Sequence, residues 1–267
     1  MKNFPWHSKL VLALIVFLPI YFMIAALGTK IGLWGYEIGL GALVIVAGAP
    51  LLAIVAVAAI VSLIIGLLKK PRRKLVIAIA AVGVLIPLAM IASLLSVGGT
   101  AAANPIHDVA TDTANPPTFS AQTMTARAEA EANPLNDYQM PLGQIDLFAG
   151  VSEETKIKSH AQIINDAYAN LSPLPLGGAT KADAVAAVAA AMGKMGLSDI
   201  RSDVEAGRVE GVAETFWYGF QDDVVARIGE AEIDFRSVSR VGQSDLGANA
   251  ARIAELRGLV AEQIGQR

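Results

Sequence analysis

Three long apolar stretches fill the first 100 residues, and a six-residue basic knot, Lys69–Lys74 (KKPRRK), separates the second from the third. A chain built this way belongs in a bilayer. The stretches run Leu10–Leu27, Ile38–Leu68 and Leu75–Val97, and none carries a charge. A spanning helix needs about 20 mostly apolar residues, so all three qualify. The second holds 31 such residues, which predicts either tilt or a first turn in the interface. Pro50, in its middle, is expected to kink the helix for packing.

Basic residues set the orientation. Lys2 and Lys9 precede the first span, the first loop holds only Lys30 and Glu37, and the second loop holds five basic residues and no acid. Positive loops stay cytoplasmic, so the N-terminus and the knot are expected inside and everything after Val97 outside. The expected location is the inner (plasma) membrane, with a periplasmic or extracellular C-terminal domain. The first apolar run is too long for a signal peptide. Ala101–Ala103 resembles a processing site, but two spans before it argue against cleavage.

Charge follows the same division. Residues 1–100 hold 8 of the 21 basic and 1 of the 24 acidic residues, a net +7, and the rest carry −10. An acidic outer half is a poor partner for nucleic acid. The chain has no cysteine, so an exported domain must rest on its core alone.

The sequence predicts three regions: a three-span membrane domain (1–98), an extended Pro-rich arm (99–150) and an α+β domain (151–267). The stretch 98–104 reads as a short tether. Five of the twelve prolines fall in 104–150, where apolar runs are few. A helix is expected over Ser152–Asn170, with Ile157, Ala161, Ile164 and Tyr168 at helical spacing. LSPLPLGG is a break with a short edge strand. A second helix is expected over Lys181–Met195, capped by Thr180 and closed by Gly196. Strands follow over Val209–Phe220, Asp223–Ile228 and Glu232–Val241, with a weaker one over Asp199–Val204. Gly207-Arg208, Gln221-Asp222 and Gly229-Glu230 supply the turns. A final helix covers Leu246–Ile264, capped by Ser244 and Asp245. The fold class is therefore an α+β outer domain, an antiparallel β-meander with flanking helices, preceded by three transmembrane α-helices.

The densest polar stretch is Arg236–Asn249. Strand alternation puts Ile233, Phe235, Ser237, Ser239 and Val241 on one face and Asp234, Arg236, Val238 and Arg240 on the other. Two guanidinium groups before a helix start suit an anion or partner site made of Arg236, Ser237, Ser239, Arg240, Ser244, Asp245 and Asn249, with Trp217 as a further partner-binding residue. The bland reading pairs both arginines with Glu210, Glu214 or Asp234 across the sheet. His107, Asp108 and Asp112 form a second cluster, suited to a hydrolase base, its orienter or a metal ligand. Against this, Asp108, Thr111 and Asp112 suit local backbone bonds that shape the arm. Only three histidines and no cysteine are present, and no nucleophile elbow, HExxH, P-loop or dinucleotide fingerprint occurs. No cofactor and no metal site is expected. In Glu214–Asp223, four aromatic residues crowd five positions; alternation exposes either Trp217 or its neighbours, with the arm expected to cover that face.

The segments IHDVATDTANPP (106–117), ETFWYGFQDDVVARI (214–228) and DFRSVSRVGQSDLGANAARI (234–253) resemble domain-of-unknown-function family 1499. The resemblance implies no known activity. It implies recurring residues at His107, Asp108, Asp112, Trp217, Asp222, Asp223, Arg236, Ser237, Ser239, Arg240, Asp245 and Asn249.

Three functions compete. The first is an envelope binding or accessory module at the Arg236–Asn249 motif, held beside a membrane-protein partner or a second copy. Gly39, Gly41, Gly48, Ala49 and Gly83 suit close helix packing for it. The second is a hydrolase using His107, Asp108 and Asp112 with Arg236 and Arg240. The third is an oligomeric transporter, disfavoured because no ionisable group lies inside a span. The first is expected.

Overall fold

The computed structural model describes residues 4–265. Contacts divide it into two compact units: Met1–Gly99 together with Phe216–Gly219, and Thr100–Thr215 together with Phe220–Arg267.

In the first unit, α1 (Trp6–Lys30), a π-helical segment (Glu37–Ala47) running into α2 (Gly48–Leu68), and α3 (Lys74–Ala103) give three helices long and apolar enough to cross a membrane. Pro50 lies near the start of α2, directly after the π-helical segment, where the wider π-turns absorb the break in the helical hydrogen-bond ladder. Small residues let these helices approach closely. A Cβ on Gly83 would meet Val11 at 2.6 Å and Ala59 at 2.9 Å, and one on Gly48 would meet Phe22 at 2.9 Å. Gly41, by contrast, faces open space. The expected tether at 98–104 is instead the last turns of α3, which continues to Ala103 because Ala and Thr follow the glycines without a breaker.

The second unit is a six-stranded antiparallel sheet. Its strands are β1 (Asp108–Ala110), β2 (Leu174–Pro175), β3 (Ser198–Asp203), β4 (Arg208–Glu214), β5 (Gln221–Ile228) and β6 (Glu232–Ser239). The order is β1-β6-β5-β4-β3, and β2 pairs with the far end of β6. α7 (Lys181–Lys194) and α8 (Ala248–Gly265) pack on one face. Val185, Val188 and Met192 of α7 and Ile253, Leu256 and Val260 of α8 join Val209, Val224, Ala226, Ile233 and Phe235 in the main core. Thr180 caps α7, accepting from the Asp183 N–H, and Gly196 follows at a positive φ of 78°.

The opposite face is covered by residues 112–135, which include α4 (Ala121–Glu129). Apolar contact there is thin: Phe119, Leu135, Val225 and Val238. Polar bonds do the rest, as described below.

Two expectations about local structure need correction. The single helix over Ser152–Asn170 is two, α5 (Glu153–Lys156) and α6 (His160–Ala167), because Ser159 opens a new capping box with Gln162. The turn expected at Gln221-Asp222 sits earlier. The β4–β5 loop is Phe216–Gly219, closed by Thr215, whose N–H donates to the Phe220 carbonyl; Gly219 supplies a positive φ of 64°. The aromatic run is therefore a loop and not a strand, so Phe216 and Trp217 are both exposed and the arm covers neither.

Candidate functional site

Alternation along β6 matches the expected two faces. Phe235 and Ile233 enter the main core, while Arg236 and Arg240 point with Val238 to the arm-covered face. Each arginine meets a carboxylate. Arg236 donates from Nε to Asp108 Oδ1 at 3.0 Å and from Nη2 to Asp108 Oδ2 at 2.7 Å. It also donates to the Pro117 carbonyl of the arm. Tyr138 donates its hydroxyl to the same Asp108. Both members of the ion pair are buried. Burial pushes the Asp108 carboxyl up, and the Arg236 guanidinium beside it overrides this, so it titrates below the usual range. Tyr138 moves the other way, raised first by burial and then by Asp108.

One strand over, Asp223 of β5 binds two guanidinium groups. Arg127 of α4 reaches Oδ2 at 2.6 Å, and Arg240 spans both oxygens at 3.0 and 2.7 Å. Glu210 of β4 accepts from the Ser120 N–H and hydroxyl and from the Thr123 hydroxyl at the start of α4. Arg227 bridges Asp112 at 3.0 Å and Asp234 at 2.8 Å. The bland reading of the arginines was thus right in kind and wrong in partner: Asp108 and Asp223 hold them, while Glu210 and Asp234 serve other groups.

The helix-covered face has its own polar network. Asn249, buried in the first turn of α8, accepts from the Ser237 hydroxyl at 2.6 Å. Its amide donates to the His107 carbonyl at 2.8 Å and to Ser239 Oγ at 3.0 Å. Arg252 joins Ser237 and Asn249 to Asp222. Asp245 accepts from the Gly247 and Asn249 N–H groups and caps α8, and burial raises its carboxyl. Ser244 donates to the Asn104 carbonyl, tying the chain just after α3 to the loop before α8.

Asp112 accepts from the Ala114 and Asn115 N–H groups, the expected local turn chemistry. Thr111 bonds Phe235 across the strand pair instead. The His107 ring stacks on Phe148 at 5.9 Å and meets His160 edge-on at 6.4 Å. His160 stacks on Tyr138 at 5.5 Å. The ring nitrogens of both histidines are buried; those of His160 have no hydrogen-bond partner, and His107 has only the Gln243 backbone nearby. Burial lowers both, His160 from 6.5 to about 4, so both are neutral at pH 7. Among the described residues, no group of three or more His, Asp or Glu side chains is arranged to hold a metal.

The structure therefore joins Arg236 to Asp108, Arg240 to Asp223, and Ser237, Ser239 and Asn249 to one another. Asp112 goes to a separate pair with Arg227, and Trp217 sits at the β4–β5 tip. Sequence reasoning missed Arg127, Tyr138, Ser120, Thr123 and Arg252. Arg252 lies within the segment 234–253 and meets Asn249 on its own helix; Arg127 and Tyr138 reach Asp223 and Asp108 only once the sheet has folded.

An antiparallel sheet with helices on one face and an ion-pair-stitched arm on the other, preceded by three apolar helices, defines the class. The chain belongs to the DUF1499 family, proteins of unknown function, over residues 108–260. No curated protein matches the chain, and no solved structure does.

Proposed function

We propose that this protein is a membrane-anchored accessory module: a rigid platform held at the bilayer by three spans beside a membrane-protein partner. The basic knot supports an orientation with the N-terminus cytoplasmic and the sheet domain on the extracytoplasmic side. One observation carries the reading. Apart from the His107 ring, which is buried against Phe148, the polar signature residues are held by fixed partners: Asp108 by Arg236, Asp223 by Arg127 and Arg240, and Asn249 by Ser237, Ser239 and the His107 carbonyl. A catalytic group needs a free lone pair or proton directed at substrate. Side chains saturated in buried pairs suit a frame that holds a surface in shape. The Arg236–Asn249 stretch fits this frame role, because successive residues stitch opposite faces of the sheet.

The test is purification of the full chain from native membranes in mild detergent, with mass spectrometry of what co-purifies. One membrane protein at fixed stoichiometry, lost when residues 104–267 are removed, is expected. A full chain that runs alone at every detergent concentration overturns the accessory reading. Orientation is read separately. The chain has no cysteine, so Glu205→Cys, at an exposed turn, reports its side by labelling with a membrane-impermeant maleimide on intact cells. Labelling only after lysis would reverse the proposed topology.

A further inference from the structure

The register of the sheet fixes what lies at each of its ends. Asp108, where β1 begins, pairs with Val238 near the end of β6. Ser239 pairs with Asp222 at the start of β5, and Gln221 pairs with Glu214 at the end of β4. The end of the sheet that receives the chain from α3 is therefore the end that carries the β4–β5 tip. The loop before α8 lies there too: Ser244 bonds the Asn104 carbonyl, and the Asp245 N–H bonds the Ile106 carbonyl. The turns at Val204–Gly207 and Gly229–Ala231 lie at the opposite end.

This end has an unusual surface. No charge occurs from Thr215 to Phe220. Phe216 is 66% exposed and Trp217 48% exposed, their rings edge-to-face at 4.9 Å. Leu246, in the loop that binds Asn104, is also exposed, and it holds a positive φ of 59°. Phe216 and Trp217 are neighbouring large apolar groups at the surface, with the Lys30 ammonium 4.5 Å over the Phe216 ring, and such a patch marks a contact with a partner or a membrane. Only ten residues lie between Val97, the last of the apolar run, and Asp108, and six of them are helical. At about 1.5 Å per helical and 3.5 Å per extended residue, Asp108 stays within about 25 Å of the hydrocarbon edge. Phe216–Gly219 itself groups with the unit that contains the three spans.

We propose that the β4–β5 tip, led by Phe216 and Trp217, docks into the lipid interface of the bilayer that the spans cross. Tryptophan favours this depth, because its ring is apolar while its N–H can meet headgroups. The absence of charge removes the main penalty for entry. Bulk lipid is the occupant, so no headgroup specificity is implied.

The test uses the full-length protein with Trp6→Phe and Trp34→Phe, which leaves Trp217 as the sole tryptophan. It is reconstituted in phosphatidylcholine vesicles with and without acyl-chain bromination. The expected result is loss of most of the Trp217 emission in brominated lipid and little quenching by aqueous iodide. A tryptophan placed at the opposite end of the sheet, Glu205→Trp in a Trp217→Phe background, is expected to behave in reverse. Emission indifferent to bromination overturns the proposal in either form: open to iodide means the tip lies in water, and shielded from both means a second copy or another protein covers it. Should the tryptophan replacements prevent reconstitution, Trp217→Cys in the otherwise native chain carries a nitroxide. Access to oxygen above access to a water-soluble nickel chelate supports the proposal, and the opposite order overturns it.

Discussion

Asp223 and Arg127 meet at 2.6 Å although 96 positions separate them, and both are almost wholly buried. Arg240 spans both oxygens of the same carboxylate. The arm is thus pinned to the sheet by a charge that the sheet would need to neutralise even without the arm. Two guanidinium groups on one carboxylate make the pinning one-sided: removing the acid strands two cations, and removing Arg127 strands none.

Asp223→Asn is expected to release α4 far more than Arg127→Ala does. Arg127 is inaccessible to trypsin while its side chain is buried. In the Asp223→Asn protein, cleavage after Arg127 should precede cleavage at the exposed Lys194. Native-like resistance at Arg127 would show that the arm is held by other contacts.

Asp108→Asn leaves Arg236 buried opposite a neutral amide. Breaking a buried pair from one side costs about 3–5 kcal/mol, so a large drop in the denaturation midpoint of the detergent-solubilised protein is expected. Replacing both partners by apolar residues of similar volume should recover much of that loss, which separates the stranded charge from lost packing.

Stability of the sheet domain should fall as pH drops from 6.5 to 4. His160 titrates at about 4 in the fold against 6.5 ordinarily, because burial penalises its charged form. Above pH 6.5 neither state holds the proton and nothing is lost. Between 6.5 and 4 the unfolded chain takes it up alone, a cost reaching about 3 kcal/mol, which levels off below 4. His107 is lowered too and acts in the same direction. Asp108, whose carboxyl is depressed, adds a further loss only below the ordinary carboxylate range. His160→Phe, which keeps a ring against Tyr138, should flatten the fall in melting temperature across that window. An unchanged slope would place the sensitivity elsewhere.

Asn249→Ala removes the acceptor for Ser237 and two donors, to the His107 carbonyl and Ser239 Oγ. Leaving such groups unpaired costs about 1–3 kcal/mol. Asn249→Asp should be no milder, because the carboxylate cannot donate to the His107 carbonyl. Thermal melts of the three proteins side by side check the order.

Much of this architecture was readable residue by residue. The apolar runs gave the spans, the Thr180 and Gly196 signals bounded α7, and alternation in β6 placed Arg236 and Arg240 on one face. The failures share a cause. β1 is three residues long, too short to show a period. α4 buries only Thr123 and Arg127, so it shows no apolar stripe, and Glu210 seats its first turn. The β4–β5 turn was mislaid because aromatic residues have high strand propensity, and only Gly219 marks the loop. The ion pairs could not be read at all. Asp108 and Arg236 are 128 positions apart, and nothing local in either stretch names the other. The family resemblance flagged both residues without saying that they meet.

The order of the chain also dictates when this domain can close. β1 and the arm are made first, directly after α3, yet the groups that seat them, Asp223, Arg236 and Arg240, lie on β5 and at β6, near the end of the sequence. Until Asp223 is synthesised Arg127 has no mate, and until β6 is made Asp108 lacks Arg236 and β1 has no strand to join. Loop closure over such separations is slow, and the early segment stays unpaired in the meantime. The protein is thus a clasp whose catch is forged late: a chain interrupted before β6 has its three apolar helices but nothing to fasten.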